Sequence, residues 1–381
     1  MAAARRAEGA TQEETRHAAG VESPLRAELF SAEQMERHGA VLAKSHHLQP
    51  NRLSEQLLRR LTDNQRVLEL ARESLAAAAA ANRSITPAGE WLLDNFYVID
   101  EQIRIARRHL PKGYSRELPR LAEGGSAGQP RVYDIALEAI SHGDGRVDDE
   151  GLTRFVAAYQ AVTPLALGEL WAIPIMLRLA LIENLRRVAG CIIVDRRDRD
   201  LAEDWADRMV ETAATDPKNV VLVIADMARA EPPLSSPFVA ELTRRLSGQS
   251  STLALPLTWI EQWLGESGQT IERKIQTETR HQAADQVSIS NSIGSLRFLS
   301  TTDWREFVET LSVVERSLQN DPGGTYGLAD FATRDSYRHA VERVARNSKV
   351  GEGEVAEQVL ELARSAADQH GAIHVSAHVG Y

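Results

Sequence analysis

"NRLSEQLLRRLTDNQRVLELARESLAAAAA" (residues 51–80) decides the fold class. Leu53, Leu57, Leu61, Leu68 and Leu75 recur three or four residues apart or at multiples of seven, the period of one helix face. Six consecutive alanines (76–81) follow, and alanine is the strongest helix former. "ITPAGE" then interrupts the pattern with Pro87 and Gly89.

The same period recurs outward from this stretch. Gly89 to about Leu110, residues 131–142, "DEGLTRFVAAYQAV" and Leu167 to about Val188 each read as amphipathic helix. Residues 110–130 read as a loop with a short helical turn inside it. "GCIIVD" and "NVVLVIAD" are β-branched enough for strands. Asp216-Pro217 before the second is a helix start, so it is read as helix. "SSPFVAELTRRLSG" has Ser236 as its cap, Pro237 at its start and Gly248 at its stop. The remainder continues as helices with short connections: "LTWIEQWLGESG", residues 270–299, "DWREFVETLSVVERSLQND", "TRDSYRHAVERVARNS" and "GEGEVAEQVLELARSAADQ". The expected fold class is all-α, a multi-helix array of antiparallel amphipathic helices. Residues 1–24, small, polar and aperiodic, read as a disordered tail. Residues 25–190 and 191–381 read as two helical subdomains.

Composition bounds the function. The chain has 381 residues, 43% hydrophobic and 26% charged, with a net charge of −10. Acidic and basic residues are mixed, and no basic block exists to neutralise phosphates, so nucleic acid is not an expected partner. Cys191 is the only cysteine, which excludes an internal disulfide. The longest apolar run, Leu170 to Ile182, contains Arg178 and falls short of the roughly twenty residues that a membrane span needs.

"GEWLLDNFYVIDEQIR" (89–104) brings carboxylates and aromatic rings together, as a sugar-handling cleft does and as an ordinary amphipathic helix does. On one continuous helix, Leu92, Phe96, Ile99 and Ile103 form a core stripe. Glu90, Asp94, Tyr97 and Glu101 fall opposite it, and Trp91, Asn95, Val98 and Gln102 form the seam between. The acids share one face and lack the opposed geometry of glycosidase carboxylates. Arg178 interrupts an apolar run, and a buried guanidinium needs a carboxylate or several carbonyls. Asp94 or Glu101 is the expected partner, which makes Glu90, Asp94, Tyr97, Glu101 and Arg178 a candidate ligand or ion-pair face. Residues 278–297 carry small polar residues in a helix. Arg280, Gln282, Asp285, Gln286, Asn291 and Arg297 are a candidate polar interface.

Other patterns carry less. "HGDGRVDDEGL" (142–152) lacks the bidentate acid of a calcium loop and reads as a helix–turn–helix corner. Asp198 and Asp200 form a D-x-D with no nucleotide-binding frame nearby. His46-His47 and His370, His374 and His378 are the histidine clusters; the last three would stack on one helix if Gly371 did not interrupt it. Catalytic residues, metal ligands and cofactors are therefore not assigned to this segment.

Seven blocks carry a resemblance: "GEWLLDNFYVIDEQIR" (89–104), "LPKGYSRELPRLA" (110–122), "HGDGRVDDEGLTRFVAAYQ" (142–160), "LGELWAIPIMLRLALIENLRR" (167–187), "LPLTWIEQWL" (255–264), "RHQAADQVSISNSIGSLRFLSTTDWREFVETLS" (280–312) and "FATRDSYRHAVERVAR" (331–346). In this order they resemble the N-terminal region of cyclic β-1,2-glucan synthases, large bacterial inner-membrane proteins. The resemblance implies a helical region on the cytoplasmic side of that membrane, followed by spans, a glucosyltransferase domain using UDP-glucose with a divalent metal, and a phosphorylase-like domain. The implied partners are the remainder of the synthase and β-1,2-glucan. The chain ends at "HVGY" (378–381) ahead of those domains and reads as the leading part of a longer frame, a non-catalytic scaffold or glucan guide. The alternative is a self-standing carbohydrate-active enzyme using acids of the 89–104 helix.

Overall fold

The computed structural model describes residues 22–49, 56–110, 117–348 and 350–381. Among these the fold is all-α, with 15 α-helices. The first four are α1 (Ala32–Ser45), α2 (Leu57–Ala80), α3 (Pro87–Asp94) and α4 (Phe96–His109). Then come α5 (Arg131–His142), α6 (Asp149–Gln160), α7 (Leu167–Thr215), α8 (Val220–Ala230) and α9 (Ser236–Leu246). The remainder are α10 (Ala254–Glu266), α11 (Ile271–Thr301), α12 (Trp304–Leu311), α13 (Val313–Leu318), α14 (Phe331–Ser348) and α15 (Glu352–His370). No helix among the described residues is long and apolar enough to cross a membrane.

Side-chain caps fix many of the starts. Ser31 Oγ accepts from Gln34 N–H while Gln34 Oε1 accepts from Ser31 N–H, a reciprocal box that opens α1. Thr86 caps α3 ahead of Pro87, and Asp148 caps α6. The cap of α9 is Ser235; Ser236, expected in that role, is the first helical residue. Asp216-Pro217 opens a single 3-10 turn (Pro217–Asn219), and α8 begins only after it.

Three expectations are corrected. The loop at 110–130 contributes a strand, Arg120–Leu121 (β2), which runs antiparallel to Leu48–Gln49 (β1), while residues 111–116 of that loop lie outside the described residues. The helix expected to stop near Val188 continues to Thr215, so "GCIIVD" is helical and α7 reaches 49 residues with Pro174 inside it. The single helix expected across 303–321 breaks at Ser312, which ends α12 and caps α13 by accepting from Glu315 N–H. The helical reading of "NVVLVIAD" holds as α8.

Internal contacts divide the chain into two units assembled from alternating segments. One takes the segment ending at Arg26, Leu61–Glu101 and Ile182–Gly294; the other takes Ala27–Arg60, Gln102–Leu181 and Ser295–Tyr381. A boundary at 190/191 falls inside α7. The tail expected over 1–24 lies outside the described residues except Glu22, Ser23 and Pro24. Glu22 pairs with Arg186, and the Ser23 carbonyl accepts from Arg187.

In the first unit, Trp205, Met209, Val223, Met227, Phe238, Leu242, Ile260 and Leu264 make a core from the second part of α7 with α8, α9 and α10. In the second unit, α1 lies along α6. Their backbones meet at Gly39, where a Cβ would stand 2.6 Å from the Phe155 carbonyl oxygen. A further core joins α13, α14 and α15 through Val314, Leu318, Tyr326, Val341, Val355 and Leu360. Arg338 is wholly buried beside it, its guanidinium donating to Glu309, Glu315 and Asp335.

Candidate functional site

The 89–104 stretch is not one helix. Asn95 (φ −109°, ψ 11°) ends α3, and its side-chain amide donates to the Trp91 carbonyl at 2.9 Å. The Asn95 carbonyl then accepts from Val98 N–H at the start of α4. An asparagine side chain that bonds the preceding turn competes with the backbone ladder, and the helix restarts one residue later. The core stripe survives the break: Leu92, Phe96, Ile99 and Ile103 are all buried. So are the seam residues Asn95, Val98 and Gln102, while Trp91 is 41% exposed.

The acidic face is therefore divided between two helices. Glu90 and Asp94 belong to α3, Tyr97 and Glu101 to α4, and all four are exposed. Arg178 on α7 is 5% exposed, as its place in an apolar run required. Its Nε donates to Gln102 Oε1 at 2.7 Å and Nη2 reaches the Leu299 carbonyl at 3.4 Å. Gln102 Nε2 in turn donates to Ser300 Oγ at 2.9 Å. An amide and a carbonyl stand where a carboxylate of Asp94 or Glu101 was expected. Burial lowers the Arg178 pKa from its ordinary value.

The polar residues of α11 separate into two sets. Asp285 is buried and accepts from Arg26 at 2.8 Å, and Gln282 Nε2 donates to Glu278 at 2.6 Å. Arg280, Gln286 and Arg297 are exposed, and Asn291 is half-buried. A fully buried polar contact on this helix comes from residues that sequence reasoning passed over. Asn184 Nδ2 on α7 lies within reach of both Ser288 Oγ (3.1 Å) and Ser292 Oγ (3.2 Å), and Asn184 Oδ1 accepts from Leu25 N–H. All three side chains are fully buried. The signal was present as serines four residues apart, one helical turn.

The weaker patterns resolve into structural roles. Asp198 accepts from Ser235 Oγ at 2.6 Å, whereas Asp200 accepts from Arg196 and pairs with Arg83, so the two carboxylates serve different partners. Burial, partly offset by the Ser235 bond, raises the Asp198 pKa. Cys191 is buried inside α7. The corner at 142–152 is as expected, with Asp144 (φ 45°) and Gly145 (φ 80°) turning α5 into α6. His370, His374 and His378 share no helix: α15 ends at His370, and Gly371 follows with a positive φ of 89° that favours glycine. His374 caps a 3-10 turn and His378 Nδ1 bonds Asp321 at 2.8 Å. His46 contacts Tyr159 and Asp134.

Two further features of the second unit were not foreseen. One is a groove of about 610 Å³ lined by Pro119, Trp171, His339, Glu342, Arg346 and Glu352 among others. Burial, aided by the charges of Glu342 and Glu169, raises the Glu352 pKa, although Glu352 also accepts from Leu167 N–H at 2.8 Å. Glu342 Oε1 accepts from Arg346 at 2.9 Å. An indole, an imidazole and carboxylates on a concave surface are the chemistry of polyhydroxyl recognition. The other is a contact of His38, Glu138 and His142.

Fold and site together define an α-helical array with exposed acids on α3 and α4 and an aromatic, carboxylate-lined groove. No protein-family profile matches it. Over 343 residues, 90% of its length, the chain is 32% identical to the cyclic beta-(1,2)-glucan synthase NdvB of Rhizobium meliloti (strain 1021). The matched stretch is 12% of that protein's length. The resemblance read from the seven blocks thus extends along the chain, which is related to a region of a cyclic glucan synthase.

Proposed function

We propose that the chain is the non-catalytic, N-terminal helical region of a cyclic β-(1,2)-glucan synthase, scaffolding the transferase or guiding the glucan. The observation that carries this reading is the 32% identity across 90% of the chain, confined to 12% of the relative. In this reading the parent polymerises glucose from UDP-glucose with a divalent metal, and its remaining domains are the partner. The region stands on the cytoplasmic side of the bacterial inner membrane.

The side chains support a guiding rather than a catalytic role. Glu90 and Asp94 sit one turn apart on α3, on one face and exposed to solvent. Bond cleavage between sugars uses two carboxyl groups that flank the bond. The Trp171 groove supports this reading: glucan binding without turnover uses an indole and carboxylate acceptors, and Trp171, Glu342 and Glu352 line it together. Titration of the purified chain with linear β-1,2-glucan, and incubation with UDP-glucose, test the proposal. Binding without turnover, weakened by Trp171→Ala and unaffected by Asp94→Asn, is expected. Turnover abolished by Asp94→Asn would overturn it in favour of a self-standing enzyme.

A further inference from the structure

The geometry points to a zinc-class metal site formed by His38, Glu138 and His142 in the second unit. Glu138 and His142 are i and i+4 on α5, so they share one face, and His38 faces them from α1. His38 Nε2 lies 2.7 Å and His142 Nε2 3.3 Å from the same carboxylate oxygen, Glu138 Oε2. All three donor atoms fall within 4.8 Å of one another. Tetrahedral zinc, with bonds of about 2.0–2.1 Å, sets its donors about 3.3 Å apart. Of the three donor pairs, His142 with Glu138 already has that value and His38 with Glu138 must open by about 0.6 Å, while the two ring nitrogens, within 4.8 Å of each other, reach it by side-chain rotation.

The hydrogen bond on the far side of His142 supplies the independent argument. His142 Nδ1 is 2.7 Å from the Glu28 carbonyl oxygen. A carbonyl only accepts, so Nδ1 carries the proton. In the neutral ring Nε2 is then a lone pair aimed at a carboxylate lone pair, an arrangement that a cation between them relieves. Metal-binding histidines are oriented in this way, the distal N–H donating to a carbonyl or carboxylate. The ring is also fixed by Phe30, stacked on it at 3.8 Å between centroids with an interplanar angle of 9°. His38 is flanked by Phe30 and Phe155. The site is neither sealed nor fully exposed: side-chain exposures are 22% for His38, 31% for Glu138 and 12% for His142.

Two imidazoles and one carboxylate select zinc and its neighbours over calcium or magnesium, which take oxygen donors. Three protein ligands leave a fourth position for water or an exogenous anion. Bound metal would clip α1 to α5, so it would stabilise the second unit as any ligand of the native state does.

The test is calorimetric titration of the metal-free full chain with ZnCl2, with CoCl2 as the spectroscopic probe. One equivalent bound, a raised thermal midpoint and the intense visible bands of four-coordinate cobalt are expected. His142→Ala and Glu138→Gln should each weaken binding by more than about 100-fold, beyond what loss of an outer-shell partner costs. Far-UV circular dichroism checks that each variant is folded, and His38→Asn replaces either one that is not. Absence of zinc binding would overturn the proposal and leave the cluster as a proton-mediated ion pair. Unchanged binding in the His38→Asn/His142→Ala double variant would overturn it too, placing the metal elsewhere, for example on His370 and His374.

Discussion

Arg131 and Glu169 form a buried ion pair whose energetics can be taken apart. The side chains are 5% and 1% exposed. Nε donates to Oε1 and Nη2 to Oε2, both at 2.6 Å, a two-pronged arrangement. Nη2 also donates to the Pro164 carbonyl at 2.9 Å, and Oε2 accepts from Ala166 N–H at 3.0 Å. Burial opposes the charge on Arg131, yet the bond to Glu169 and its negative charge leave the Arg131 pKa above the usual arginine value. Glu169→Leu strands a guanidinium in the interior and should cost about 3–5 kcal/mol, and Arg131→Met strands the carboxylate at a similar cost. The double variant removes both charges and leaves the Pro164 carbonyl and Ala166 N–H unmatched, about 1 kcal/mol each, while the Tyr159 hydroxyl loses Arg131 but keeps His46. It should therefore lie within about 2 kcal/mol of the parent, giving a coupling of at least about 4 kcal/mol. Equilibrium urea unfolding followed by circular dichroism measures all four proteins. Additive losses in the double variant, or single losses below about 1 kcal/mol, would refute the reasoning.

Gln102→Leu leaves Arg178, among the described residues, with a single long carbonyl contact, so a loss of about 2–3 kcal/mol is expected in the same urea assay. Gly39→Ala drives a methyl against the Phe155 backbone, which cannot rotate away, and should cost about 1–3 kcal/mol despite alanine's better helix propensity. Asp321 accepts from His378 and from the N–H groups of Tyr326 and Val379, which outweigh burial and hold its pKa below the ordinary carboxylate value. Its stabilisation is thus present above the unfolded pKa of about 3.9 and is lost as pH falls through the lower folded value. Thermal midpoints of the parent and Asp321→Asn should differ near neutral pH and converge in strong acid.

The helical class was legible because burial imposes a period on leucine, isoleucine and valine that needs no knowledge of the partner surface. Leu92, Phe96, Ile99 and Ile103 were placed inside for that reason, and they are inside. The breaks at Asn95 and Ser312 were not legible, since each depends on a side chain bonding its own backbone in competition with the helix. The β-branched "GCIIVD" disguised the continuation of α7, where packing overrides local propensity. Burial of Arg178 followed from its neighbours in sequence, but its partner did not. Gln102 is 76 residues away, and an amide serves there as well as the acids nearby. The same holds for His38, 100 residues from Glu138: no spacing rule connects them.

The alternation of segments between the two units has a consequence during synthesis. The unit that includes Leu61–Glu101 lacks its third segment until Gly294 has left the ribosome, and the other requires Ser295–Tyr381. At about 5–20 residues per second, the early helices α2 and α3 wait on the order of ten seconds or more for α11. Through that interval their leucine faces are open to chaperones and to one another. Release of the chain at residue 190 would leave both units without their closing segment.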